Sequence, residues 1–200
     1  MARAKATDTS AVIAAAAEVF RSKGYRNTTI DDIAQAAGIA KPTVYQYAKS
    51  KQWLLGQVVE AVITDLESRV EAQRDPAAVP LERLHKVLAV HVAAAIELRT
   101  FYAILLSEEA ELEPETQARF RSWAHAITDE FRLLLEACAR PHSLADVIDH
   151  GVAANLIITM LISIHRWYDP DGPLTPEDLA AQVQLAVDGF LTLGITSVAT

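Results

Sequence analysis

A single cysteine, Cys138, is all the thiol chemistry of this chain, so no disulfide can close within it, as suits a reducing compartment. Glycine and proline are scarce, 7 and 8 in 200 residues, which excludes collagen-like and low-complexity chains. Long apolar runs are missing too. The longest, Val152 to Ile164, falls short of the roughly 20 residues a bilayer demands, and Asn155, Thr159 and Ser163 interrupt it. The amino-terminal MARAKATDTS is polar and lacks the apolar stretch of a secretory signal, so a cytoplasmic protein without a membrane partner is expected. Also absent are a glycine-rich phosphate loop, a GxSxG elbow and an HExxH pair. The histidines (His85, His91, His125, His142, His150 and His165) lack metal-ligand spacing. Asp169-Pro170-Asp171-Gly172 lacks the alternating carboxylates and terminal glutamate of a calcium loop, and reads as a turn. No enzyme, metal site or resident cofactor is expected.

What is present is helical periodicity from end to end. Half the residues (51%) are hydrophobic, enough for a real core in one domain or two small ones. Residues 24–55, GYRNTTIDDIAQAAGIAKPTVYQYAKSKQWLL, carry the densest information. Thr29 can cap a helix, with Asp32 three residues on completing an acidic capping box. Ile30, Ile33, Ala34 and Ala37 supply its packing face, and Gly38 ends it, because glycine alone adopts the left-handed conformation without steric penalty. Pro42 suits the first turn of a second short helix carrying Thr43, Tyr45 and Gln46, with Lys41, Lys49 and Lys51 around it. Two short helices joined by a glycine turn, the second polar and flanked by lysines, meet the requirements of major-groove reading.

Charge supports that assignment. The whole chain stands at −8, yet residues 1–56 hold eight Lys/Arg against four Asp/Glu, a net of +4, and the remainder stands at −12. Only the segment expected to meet phosphate is basic.

The pattern Thr28-Thr29, Ile33-Ala34, Ala37-Gly38, Thr43, Tyr45, Tyr47, Ser50-Lys51 and Leu54-Leu55 resembles the N-terminal domain of TetR-family transcriptional regulators. Pro42 replaces a commoner glycine, and Ala48 stands where a large residue is usual. The resemblance implies that Lys41, Pro42, Thr43, Tyr45 and Gln46 meet base edges of double-stranded DNA. It implies phosphate contacts for Thr28, Thr29, Tyr47, Lys49 and Lys51. Packing within the head is the competing role for Tyr45 and Tyr47, and Arg3 and Lys5 form either an arm on DNA or a solvated tail.

Around this segment the pattern predicts an all-α chain of about nine helices. A three-helix helix-turn-helix DNA-binding domain, 1–56, would begin with a helix over Ser10–Lys23, and an effector-binding and dimerisation domain, 57–200, would follow. Ser50 caps a long lever helix to about Ala72, and helices follow near 81–98, 101–106, 114–139, 143–168 and 176–193. The helix through Val147–Ile164 is apolar nearly all round, and the last carries Leu179, Val183, Ala186, Val187, Phe190 and Leu191. In the TetR family such a pair forms a four-helix homodimer interface with its twin; the alternative is the internal core of a monomer.

Candidate effector residues are polar groups on apolar faces and the aromatics beside them. They comprise His91, Asn155 and Arg99, with Phe101, Trp123, Ile127 and Phe131 as an apolar lining. His91 and Asn155 are equally accounted for as internally satisfied polar groups. The run HRWYDPDGPLTPE, His165 to Glu177, resembles the C-terminal part of TetR regulators that respond to acyl-CoA thioesters, which implies a CoA contact for Arg166 and Trp167. Against it, a domain at −12 is a poor host for a polyanion. The expectation is a ligand-responsive regulator, a repressor released from a palindromic operator by a small hydrophobic effector such as an acyl-CoA. The alternatives are an activator or ligand-independent DNA binder of the same fold and, more remotely, a small helical enzyme.

Overall fold

The computed structural model describes residues 8–192 apart from 142 and 144–146; Arg3, Lys5 and His142 lie outside the described residues. Every regular element among these is helical. In order they are α1 (Thr9–Lys23), α2 (Ile30–Ala37), α3 (Lys41–Tyr47), α4 (Lys51–Ala72), α5 (Pro80–Glu97) and α6 (Arg99–Glu108). A 3-10 turn (Glu109–Glu111) leads to α7 (Pro114–Cys138), α8 (His150–Trp167) and α9 (Pro176–Thr192). The expected nine α-helices are thus present among the described residues. No single described helix is long and apolar enough to cross a membrane.

The chain forms two compact units that do not follow one cut in the sequence. The first comprises the described residues up to Thr64 together with Ala103–Arg121, and the second comprises Asp65–Tyr102 and the described residues from Ser122 onward. In the first, α1 packs on α2 and α3 through Val12, Ala16, Phe20, Ile33 and Val44, all essentially inaccessible to solvent. Thr29 and Asp32 form the capping box: the Asp32 N–H donates to Thr29 Oγ1 (3.2 Å), and the Thr29 N–H donates to Asp32 Oδ2 (2.8 Å). Gly38 takes the left-handed conformation (φ 68°) that lets its N–H reach the Gln35 carbonyl and the Ile39 N–H reach Ala34. Ala48 is buried and its N–H bonds to the Val44 carbonyl, so the small residue closes α3 within the core. At Gly56 a β-carbon would stand 2.9 Å from Thr116 Oγ1, so α4 and the start of α7 approach closely there.

In the second unit the core gathers around Leu84, Leu88, Phe131, Leu135 and Ile164. Here the structure corrects two readings. The apolar helix starts at His150, capped by Asp149, whose Oδ1 accepts from the Val152 N–H at 2.9 Å; Ser143 Oγ instead bonds the Arg140 carbonyl. The stripe Leu179, Val183, Val187 and Leu191 is buried within the protomer, and Phe190 packs against the same core. The large apolar side chains that remain exposed on this pair are Val152, Leu156 and Trp167 of α8 and Leu185 of α9. Asp169-Gly172 is a turn, with the Asp171 N–H on Asp169 Oδ1 and the Gly172 N–H on the Asp169 carbonyl.

Because the Thr29 cap satisfies α2 donors that have no intrahelical partner, Thr29→Ala should lower stability by about 1 kcal/mol, read as a reduced denaturant midpoint with an unchanged slope.

Candidate DNA interface and effector cleft

The α3 helix stands on one buried anchor, Val44, and presents Lys41, Pro42, Tyr45 and Gln46 to solvent, with Thr43 and Tyr47 half-buried at its flanks. Tyr45 is 55% exposed, an unusual position for a phenol ring that has a choice of packing. Lys49 follows, also exposed. The Lys41 ammonium meets Asp31 Oδ2 at 2.8 Å, a solvent-exposed pair whose attraction raises the Lys41 pKa. Such a pair contributes little in water, so exchanging the carboxylate for a phosphate is a small step.

Two of the residues expected at phosphate face inward instead. Thr28 is buried, and its hydroxyl donates to the Gly24 carbonyl at 2.8 Å. The Lys51 ammonium donates to the Tyr25 and Thr28 carbonyls at 2.9 Å each, with Arg26 at 3.4 Å, and stands 4.4 Å from the Tyr25 ring centroid. Lys51 therefore clasps the α1–α2 connection onto α4. Beside it, Arg26 Nε bonds both oxygens of the buried Glu108 carboxylate at 2.9 and 3.0 Å. Neither Arg26 nor Glu108 was signalled by the sequence, because a separation of 82 positions hides any local pattern.

The candidate effector residues separate into three groups. Asn155 lies on the exposed face of α8 and donates to the Gly151 carbonyl, away from any cavity described. Arg99, Arg166 and Trp167 are exposed, at the start of α6 and the end of α8, where Tyr102 stacks on His165 at 6.5 Å and Phe101 stands edge-on to Tyr102. The remaining four converge. His91, Trp123 and Ile127 line a half-open cleft of about 200 Å³ with Leu66, Val70 and Ala126, and Phe131 backs the His91 ring at 5.5 Å.

The cleft has an acidic rim. Glu67, Glu71 and Glu130 border it, with Arg74 as its cation, paired to Glu71 at 3.1 Å. Burial raises the Glu130 carboxyl despite Arg74 and Arg83, and Glu71 adds to the rise. At its wall, burial pushes the His91 imidazole down to about 4, so the ring is neutral at pH 7. Its Nε2 is buried with no hydrogen-bond partner among the described residues.

Residues 77–190 match the family described as "Tetracyclin repressor-like, C-terminal domain", and residues 12–58 match "Bacterial regulatory proteins, tetR family". The chain belongs to the TetR family. It is a DNA-binding regulator and not an enzyme. Among TetR-family relatives, it is 27% identical over 187 residues to the HTH-type transcriptional repressor KstR2 of Mycolicibacterium smegmatis, covering 88% of this chain and 87% of that protein. A TetR/AcrR-family regulator of Thermobifida fusca superposes with a TM-score of 0.69 at 28% identity, over 90% of this chain and 95% of the other. AibR, solved in complex with isovaleryl coenzyme A and operator DNA, shares the fold with a TM-score of 0.75 at 24% identity, over 94% and 99%.

The neutral, buried His91 has a pH signature. Its folded pKa lies below the 6.5 of an exposed imidazole, so the unfolded chain takes up the proton first. Stability from this group is complete above pH 6.5 and is lost as the pH falls toward 4, by up to about 3 kcal/mol. His91→Leu should flatten that part of a melting-temperature profile recorded between pH 7 and 4.

Proposed function

We propose that this TetR-family chain is a repressor that binds a palindromic operator as a homodimer and is released by a small hydrophobic effector. The observation that carries the DNA half is the exposed polar surface of α3, held by buried Val44 in the locally basic segment. On this reading residues 1–56 carry the DNA contacts, with Lys41, Pro42, Thr43, Tyr45 and Gln46 at base edges and Thr29, Tyr47 and Lys49 at phosphate. Thr28 and Lys51 shape the head from inside. Residues 57–200 carry effector binding and dimerisation.

The operator, selected from random duplex DNA by the purified protein, provides the test. Tyr45→Ala and Gln46→Ala should each weaken binding by about 1–3 kcal/mol, and Lys49→Ala should lower the salt slope by about one. Unchanged affinity in all three, with folding intact, refutes this use of α3.

The homodimer reading rests on the exposed aliphatic side chains of α8 and α9. Val152 is 50%, Leu156 59% and Leu185 71% accessible in the protomer. A second copy over that face would bury roughly 2,000 Å² or more in total, as obligate dimers do. Leu156→Glu combined with Leu185→Glu should leave the protomer helical, give a monomer in sedimentation velocity and abolish palindrome binding, since two half-sites need two fixed heads.

A second reading of the effector is an acyl-CoA thioester. It draws on the HRWYDPDGPLTPE resemblance, on the complex named for AibR, and on the exposed Arg99 and Arg166. An arginine's planar donors suit phosphate oxygens.

A further inference from the structure

The cleft of about 200 Å³ at His91 has walls, a rim and one unanswered polar atom. Each restricts what can enter. An apolar cavity of about 150 Å³ is enough to hold benzene, so this volume suits a single ring with a small substituent and not a nucleotide. The wall is Leu66, Val70, Ile127 and the Trp123 indole, which favours a hydrocarbon body. The rim sets Glu67, Glu71 and Glu130 against Arg74, an arrangement that repels an anion.

The His91 side chain lines the same space, and its Nε2 is buried without a partner among the described residues. A buried polar group left without a partner destabilises the free protein, and a ligand that supplies the partner recovers that loss. Held neutral by its surroundings, the ring offers Nε2 as either donor or acceptor, and a hydroxyl can answer both.

Building on the ligand-released reading, we propose that this cleft is the effector site and takes an uncharged, ring-sized apolar molecule whose single oxygen hydrogen-bonds to His91 Nε2. A thioester's CoA phosphates would meet the acidic rim, and a carboxylate would meet both the rim and an imidazole that resists protonation. Discrimination against anions is therefore built into the site, and His91 determines specificity for the oxygen.

Calorimetric titration of the full-length protein with cyclohexanol, methylcyclohexane, cyclohexanecarboxylate and cyclohexanecarbonyl-CoA tests the proposal. Cyclohexanol should bind saturably, and the carboxylate and thioester at least about tenfold more weakly. Replacing His91 by leucine should shift the ratio of cyclohexanol to methylcyclohexane affinity about tenfold toward the hydrocarbon, and His91→Gln should restore much of it. His91→Leu should also raise the melting temperature of the free protein near neutral pH, since the orphaned nitrogen is gone. Absence of saturable cyclohexanol binding, equal or tighter binding of either anion, or an unchanged ratio in His91→Leu overturns the assignment. Operator release, followed in parallel by fluorescence anisotropy of labelled DNA, isolates the other reading. Cyclohexanol that fills the cleft without releasing DNA refutes the cleft's effector role, while failure of every probe to release DNA counts against the ligand-released reading itself. Release by the thioester without displacement of cyclohexanol places the effector elsewhere and refutes only the present proposal.

Discussion

An ammonium group carries three protons, and the one on Lys51 finds the carbonyls of Tyr25, Arg26 and Thr28 within reach. Those oxygens belong to the link between α1 and α2, which has no helical ladder to satisfy them. The same cation stands over the Tyr25 ring, and that ring stands edge-on to Phe20 in the core at 5.3 Å. One charged side chain therefore fixes where α2 starts relative to α4, and through Gly38 where α3 points. A charge-assisted bond to a carbonyl contributes about 1.5–3 kcal/mol, more than any surface ion pair of the head can. The exposed face of α3 inherits its position from this clasp.

The helix that supplies Lys51 also supplies part of the cleft wall. α4 spans Lys51–Ala72, about 33 Å along its axis, and Leu66, Val70 and Glu71 line the cleft from its last turns. One helix thus contributes residues to both compact units, Lys51 to the first and Leu66, Val70 and Glu71 to the second. On the ligand-released reading proposed above, linkage would require reciprocity: an effector that lowers operator affinity has its own affinity lowered by operator by the same factor.

Local signals were readable in the chain because their partners lie within four residues. The Thr29–Asp32 box, the left-handed Gly38, the Ser50 cap of α4 and Pro42 at the start of α3 are of this kind. Helical periodicity likewise gave the inward faces of α5 and α7, including His91 and Trp123. Periodicity says that a face is apolar and not what covers it. On α8 nearly every face is apolar, so exposed Leu156 and buried Ile157 look alike in sequence, and Asn155 next to them looked like an interior polar group. The α9 stripe had the same ambiguity, and the protomer's own core claims it. The carbonyl contacts of Lys51 are hidden for another reason: its partners lie 23–26 residues away, and a lysine beside α3 carries no mark of which acceptor it will choose.

The pairing of Arg26 with Glu108 bears on how such a head could be transplanted. The carboxylate is buried and comes from a segment that returns to the first unit some 80 residues later, together with the buried Leu105 and Leu112. The first compact unit therefore draws buried residues from a segment far along the chain as well as from its amino-terminal helices. A chimera that borrows only the first 56 residues would leave a guanidinium without its acid and the flank of α4 without the cover of Thr116. Exchanging α3 alone respects this architecture, whereas exchanging the contiguous amino-terminal block cuts through one compact unit.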